Sequence, residues 1–137
     1  MSNFEAFLNQ NKKKQKNVKV VASKAFVGNE GKPLEWEIRQ LKSKEADYIR
    51  NECTSVGKGG KVVMDGAKFN RMVAAKCTVY PNLNDKELQD SYGVMGAEEL
   101  IQEMLDNDGE FQEYVGKILE ISGYGKTDTE LEEEAKN

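Results

Sequence analysis

The side chains that most often do acid–base chemistry are scarce or badly placed in this sequence. Its 137 residues include no histidine, the commonest general base and metal ligand. Carboxylates are numerous, but Glu98, Glu99 and Glu103 have the spacing of an exposed helix face, and four more cluster within 130–134. A catalytic pair would need carboxylates among buried neighbours. We therefore predict no catalytic residue, no enzymatic activity and no cofactor.

The two cysteines do not predict a metal site. Cys53 and Cys77 are the only soft ligands, whereas a structural zinc site needs four ligands. The first residues, MSNFEAFLNQNKKK, place basic residues after apolar ones, the reverse of a signal peptide. No run approaches the roughly 20 apolar residues that span a bilayer. We expect a cytosolic protein without a membrane partner, in which both cysteines are small buried hydrophobes.

Two short segments invite a phosphate or nucleic-acid interpretation. The glycines of 57–61 lack the Ser or Thr that follows the lysine of a P-loop, which favours a flexible connector. The lysine cluster at 12–16 has no interleaved aromatic residues and no basic recognition helix. Three interpretations stay open for this cluster: a solvated linker, a site for an acidic protein partner and, least favoured, a nucleic-acid site.

The net charge of −4 conceals a separation of charge along the chain. Residues 1–80 hold 16 basic and 8 acidic residues, whereas residues 81–137 hold 4 basic and 16 acidic ones. Opposite charges on two parts of one molecule attract charged partners or further copies of the chain. We therefore predict self-association or docking on a charged partner.

Apolar periodicity predicts an α+β fold that is predominantly α-helical. Alternating apolar residues in 18–22 and 34–38 flank the turn-rich segment 28–33, which predicts a β-hairpin over 18–40 with Trp36 as its main core anchor. Its core face is predicted to hold Leu34, Trp36 and Ile38. The predicted helices run from Ser43 to Cys53, from Asp65 to Pro81, from Asn84 to Tyr92, from Gly96 or Ala97 to about Leu105 and from Asp108 to Gly123. Their predicted N-terminal caps are Ser43, Asp65, Asn84 and Asp108. Between the first two helices we expect a mobile glycine-rich loop over 54–60.

These elements predict one globular domain at 18–123, with the N-terminal β-hairpin packed on a bundle of short helices. A short helix and a basic linker precede it at 1–17, where Ser2 and Glu5 have capping-box spacing. Phe4 and Phe7 form an aromatic face that needs a partner inside or outside the domain. Residues 124–137 are predicted to be a disordered acidic tail.

The most distinctive stretch is 80–100, which reads YPNLNDKELQDSYGVMGAEEL. It resembles the XkdN-like family of tail assembly chaperones, found in PBSX-like prophages and phages with contractile tails. The segments 26–28, 31–39 and 43–47, which read FVG, GKPLEWEIR and SKEAD, are also similar to this family. The resemblance extends over roughly 18–123.

The resemblance implies a helper protein without enzymatic activity. Such chaperones bind the phage tape measure protein, keep its long apolar helices soluble and help recruit tail tube subunits. Membership would place the chain in the cytoplasm of the bacterial host and outside the mature virion. The rival hypotheses are a structural tail or baseplate component retained in the particle, and a nucleic-acid-binding regulator.

Within the distinctive stretch, aromatic and sulfur-containing side chains are candidate binding anchors. The candidate partner-binding residues are Tyr80, Leu83, Tyr92, Val94 and Met95. The alternative is that Pro81, Leu83, Tyr92 and Gly93 only build the core of a helix–turn–helix.

Overall fold

A computed structural model of the chain describes residues 3–125. The predicted acidic tail from residue 126 onward and the predicted cap Ser2 lie outside the described residues. The helices are α1 (Asn3–Ala6), α2 (Ser43–Cys53), α3 (Gly66–Cys77), α4 (Lys86–Ser91), α5 (Ala97–Met104) and α6 (Asp108–Ile121). The strands are β1 (Val18–Val20), β2 (Trp36–Ile38), β3 (Thr54–Val56), β4 (Val62–Met64) and β5 (Thr78–Tyr80). This arrangement confirms the predicted α+β class.

The N-terminal hairpin forms two strands of a three-stranded antiparallel sheet in the order β1-β2-β5. Val18 pairs with Ile38 and Val20 with Trp36, so the apolar side chains share one face. Trp36 and Ile38 are buried as predicted. Leu34 is not, since 46% of it is exposed. It precedes β2, in the turn region closed by its N–H bond to the Phe26 carbonyl at 2.7 Å.

The third strand corrects one predicted boundary. The helix expected to continue to Pro81 ends at Cys77, and Thr78–Tyr80 pairs antiparallel with β2. The Thr78 hydroxyl donates to the Ala74 carbonyl at 2.6 Å, and the Arg39 N–H donates to the Cys77 carbonyl at 3.0 Å. The Ala74 and Cys77 carbonyls at the end of α3 therefore accept hydrogen bonds from Thr78, which caps the helix, and from Arg39, which follows β2.

The predicted loop at 54–60 is instead part of a second β-hairpin. Strand β3 pairs with β4, with Ser55 opposite Val63. The Gly57 N–H donates to the Lys61 carbonyl at 2.6 Å across the turn. Gly59 has a φ of 75°, a conformation that is strained for residues with a Cβ atom. The glycines thus build a tight connection between two strands.

The helix starts lie close to the predicted positions. The Asp65 side chain accepts the Lys68 N–H at 3.0 Å, as predicted. At α2, α4 and α6 a different residue near the start of the helix provides the side-chain acceptor, as the following bonds from backbone N–H groups show. Glu45 accepts from Lys42 at 3.0 Å, Asp85 from Leu88 at 2.9 Å and Asn107 from Glu110 at 3.0 Å. Ser43, Asn84 and Asp108 are therefore not the caps.

The core is centred on α3, which packs against α2, α5 and α6. Its inward residues Val73, Ala74 and Cys77 are fully buried. Trp36 joins the sheet to this bundle through an edge-to-face contact with Tyr114 of α6, with ring centroids 5.5 Å apart. The sheet therefore covers one side of the helices, and both cysteines lie inside as expected.

Candidate partner-binding surface

The segment 80–96 is held in shape by the side chain of Gln89 on α4. Its Nε2 donates to the Leu83 carbonyl at 2.8 Å, and its Oε1 accepts the Gly96 N–H at 3.1 Å. One side chain thus joins the chain before α4 to the chain after it. Gln89 did not emerge from the sequence analysis, because a glutamine in a short polar helix has no distinctive spacing.

The five candidate binding residues divide into exposed and inward-facing groups. Tyr80 is 61% exposed and Met95 is 90% exposed. Tyr92 and Val94 are half-buried and pack against the core. Leu83 is only 2% exposed, which corrects its prediction as a surface anchor. Its side chain fills the core beneath α4, so it positions the segment instead of contacting a partner.

Tyr80 and Met95 do not line a common pocket. Tyr80 borders an open depression of about 450 Å³ whose rim includes Asp85 and Glu87. Met95 borders a separate depression of about 350 Å³ beside Arg71. The predicted residues therefore form two small surfaces, and each could contact a partner independently.

A cluster of exposed apolar side chains lies on the hairpin β3–β4, which the sequence analysis did not single out. Val56, Val62, Val63 and Met64 are all exposed. The two strands form a sheet of their own. We call these four residues the apolar hairpin. Valines on both sides of a glycine-rich turn are a hairpin signal that could have revealed it.

A groove between helices adds a further apolar surface. It has a volume of about 500 Å³ and is lined by residues of α2, α3 and α5, among them Tyr48, Met72 and Ala97. Tyr48 is exposed, whereas Ile49 at the bottom of the groove is buried. Aromatic and Met side chains of this kind often serve as anchors in protein interfaces.

An ion pair links the end of the sheet to the helices beside this groove. Arg39 binds Glu45 through two parallel contacts, Nη1–Oε1 at 2.9 Å and Nη2–Oε2 at 2.7 Å. The hydrogen bond from Arg39 is the main cause that lowers the pKa of Glu45 to about 2, although partial burial opposes it. Arg39 also donates to the Lys76 carbonyl at 3.0 Å. These bonds hold β2, α2 and α3 together.

The buried titratable groups face away from solvent. Burial raises the pKa of the Cys77 thiol to about 11. Burial also raises the pKa of Tyr114, although its hydroxyl lies 2.6 Å from the Thr78 hydroxyl. A thiol with a raised pKa carries little thiolate at neutral pH and is a poor nucleophile. Within residues 3–125, no cluster of three or more His, Cys, Asp or Glu side chains is placed to hold a metal ion.

Comparison with known families identifies the chain's relatives. Residues 4–136 match the family described as phage XkdN-like tail assembly chaperone protein. The chain belongs to this family. The resemblance predicted from 80–100 and the N-terminal hairpin is therefore confirmed, and the match extends beyond the expected 18–123 into both terminal arms.

Two relatives in Bacillus subtilis (strain 168) cover most of this family member. It is 32% identical over 124 residues to the uncharacterized protein YqbN, across 88% of this chain and 83% of YqbN. It is 29% identical over 124 residues to the phage-like element PBSX protein XkdN, across 88% of this chain and 84% of XkdN. The crystal structure of YqbN superposes with a TM-score of 0.77 and 25% identity, covering 90% of this chain and 98% of that one.

The amino-terminal arm, which the family match includes, also presents apolar side chains. Phe4 lies in α1 and Phe7 directly follows it, where the Phe7 N–H donates to the Phe4 carbonyl at 3.0 Å, and both side chains are strongly exposed. The predicted aromatic face is thus available to a partner from outside. Within 3–125, every helix falls short of the length and apolar character needed to cross a membrane.

Proposed function

We propose that this chain binds the phage tape measure protein during tail assembly and helps recruit tail tube subunits around it. The same proposal includes three further points: the chain acts in the cytoplasm of the bacterial host, is absent from the mature virion and has no catalytic activity. Membership of the XkdN-like tail assembly chaperone family supports this role.

The structural observation that carries the proposal is the apolar hairpin. Val56 and Val62 are each more than 70% exposed. Val56 pairs with Val62, so these two side chains share one face of the two-stranded sheet, whereas Val63 faces the other side. Contiguous exposed apolar surface commonly marks a protein-binding site. Burying it against a partner would release about 25 cal/mol for each Å² of apolar surface. A partner with long apolar helices offers matching surface.

The arrangement of the hairpin also supports a binding role. A two-stranded sheet is marginally stable by itself. Here β3 continues directly from α2, and the Asp65 N–H donates to the Cys53 carbonyl at 2.8 Å, so both ends of the hairpin are attached to rigid helices. The domain thereby presents its valines on a fixed base, which lowers the ordering cost of binding.

Co-expression with the tape measure protein of the same tail gene cluster tests the proposal. We expect the tape measure protein to be soluble and to co-purify with the chain, and to aggregate when expressed alone. The variant Val56→Ser/Val62→Ser/Val63→Ser should lose co-purification. A tape measure protein that is equally soluble without the chain would contradict the proposed chaperone role.

The matched control replaces three exposed valines outside the hairpin. Val21→Ser/Val27→Ser/Val79→Ser makes the same chemical change at positions that are also exposed. Circular dichroism should show both triple variants folded. We expect the control to retain the tape measure protein, and equal losses in both variants would remove the hairpin from the binding surface.

The rival role as a retained tail or baseplate component makes a different prediction. A component of the particle should be found by mass spectrometry in purified mature tails, in a fixed ratio to the tail tube protein. We expect the chain to be present in assembling cells and missing from those tails.

A further inference from the structure

A groove on the amino-terminal side of the domain is lined by basic side chains. A depression of about 460 Å³ is lined by Lys12, Lys13 and Lys14 of the basic linker together with Arg39 and Lys42. We call it the basic groove. Its remaining lining residues are uncharged amides, so among residues 3–125 no carboxylate lines it.

The charges in this groove are mostly uncompensated. Arg39 is bound to Glu45, but the four lysines are exposed and take part in none of the ion pairs found among residues 3–125. Like charges this close repel one another, and each gains from an anionic neighbour. The groove therefore favours a ligand with several negative charges.

The carboxyl end of α6 lies beside the same groove. Gln15, one of the lining residues, donates its side-chain N–H to the Ile121 carbonyl at 2.8 Å. The Leu41 N–H donates to the Ser122 hydroxyl oxygen at 2.8 Å, between the lining residues Gln40 and Lys42. The chain thus leaves α6 next to the basic residues.

The residues that follow α6 carry the complementary charge. Residues 126–137 contain five carboxylates, at Asp128, Glu130 and 132–134, against two lysines. We propose that this acidic segment occupies the basic groove of its own chain. The inference stands apart from the proposed function, because it rests only on the groove, the position of α6 and the charges.

Reach and tethering both favour the chain's own segment over a separate molecule. An extended chain spans at most about 3.3–3.6 Å per residue, so the segment can extend roughly 40 Å, and the end of α6 already touches the groove. A short flexible tether gives an effective concentration in the mM range. An acidic segment of another protein must compete with it. The groove thereby selects partners that are more acidic, or better fitted, than the segment itself.

A spin label on the acidic segment of the full chain tests its position. The label is attached at Glu133→Cys, since both native cysteines are buried. At low salt, the amide signals of Gln15 and Gln40 should lose intensity. They should recover near 1 M salt, where the Debye length is about 3 Å. Amide signals that keep their full intensity at low salt would overturn the proposal.

Two charge-reversal variants of this labelled chain show whether the basic groove causes the loss of amide signal intensity. Lys12→Glu/Lys13→Glu/Lys14→Glu should abolish the loss of intensity. The matched control reverses Lys32, Lys58 and Lys61, which are also exposed but do not line the groove, and should preserve it. Equal effects of the two variants would overturn the assignment to the groove.

A mixture of two preparations distinguishes the chain's own segment from that of a second copy. Isotope-labelled chains without a spin label are mixed with unlabelled chains that carry it. We expect no loss of intensity in this mixture. Loss at Gln15 and Gln40 would place the segment on a neighbouring molecule and overturn the intramolecular proposal.

Discussion

Replacing Trp36 by alanine removes an aromatic side chain through which the three-stranded sheet contacts α6. Trp36 is 2% exposed, and its ring lies 5.8 Å from that of Phe26 and 5.5 Å from that of Tyr114. Truncating a large buried aromatic residue to alanine costs about 3–5 kcal/mol. Each aromatic pair contributes about 0.5–1.5 kcal/mol beyond the buried area. Because two such pairs are lost, we expect a decrease of about 4 kcal/mol in the free energy of unfolding.

Such a loss is large relative to the whole stability of a small domain, which is about 5–15 kcal/mol. For a domain of this size, 1 kcal/mol corresponds to about 3–4 °C in Tm, so the expected loss of about 4 kcal/mol should lower Tm by roughly 12–16 °C. Urea unfolding followed by far-UV circular dichroism measures the change. The midpoint should fall while the slope with denaturant is retained, because the surface exposed on unfolding hardly changes.

Leu34→Ala is the matched control. Leu34 lies two residues before Trp36 and is 46% exposed, so its truncation removes little buried surface. We expect a loss below about 1 kcal/mol, since partly exposed positions away from special features change stability little. If Trp36→Ala cost no more than Leu34→Ala, the packing of β2 on α6 described above would be refuted.

Three further changes test the polar and buried groups. Arg39 lowers the pKa of Glu45 to about 2 in the folded state, so the wild-type chain should lose stability as the pH falls from about 4.5 to about 2. Glu45→Gln should lack this contribution at every pH. Acid unfolding followed by circular dichroism should therefore differ between the two chains in that pH window. Alkylation followed by mass spectrometry should leave Cys77 unmodified in the native protein at neutral pH, and rapid native modification would contradict its buried, raised-pKa environment. Asn107→Ala should cost about 1 kcal/mol in urea unfolding and Asp108→Ala less, because the Asn107 side chain caps α6; the reverse order would contradict this assignment.

Local sequence patterns predicted the elements in which buried residues recur at a regular spacing. The alternation around Trp36 and Ile38 predicted β2, because a strand that covers a core buries every second residue. The stripe of Phe111, Val115 and Ile118 predicted α6 in the same way, and all three are buried. In both cases a single face of one element meets the core.

The elements that sequence reasoning missed depend on contacts between distant residues. Strand β5 follows α3 without a break, and three residues are too few to show a period. Its pairing with β2 joins Thr78 to Ile38, which no local pattern specifies. The hairpin β3–β4 was missed because its glycines were interpreted as a connector. The positive φ angles of Gly59 and Gly60 are typical of a tight turn.

The candidate site shows the same division between local and long-range information. Residue type identified Tyr80 and Met95, which are exposed, but residue type alone also selected Leu83, which is buried. A leucine has the same appearance in a sequence whether it anchors a partner or fills a core. Only the position of α4 over the core, fixed by Gln89, decides between the two roles.

The exposed apolar residues and the basic groove form separate surfaces that favour different kinds of partner. The core closes around α3 without Val56, Val62, Phe4 or Phe7, so folding does not account for these side chains. They occur on elements at the margin of the domain, and their burial would favour an apolar partner. The basic groove is polar and would discriminate by charge. A partner that contacts only the apolar side chains leaves the basic groove to the chain's own acidic segment. A partner that engages both surfaces must displace that segment, so engagement of both would make binding more selective than either alone.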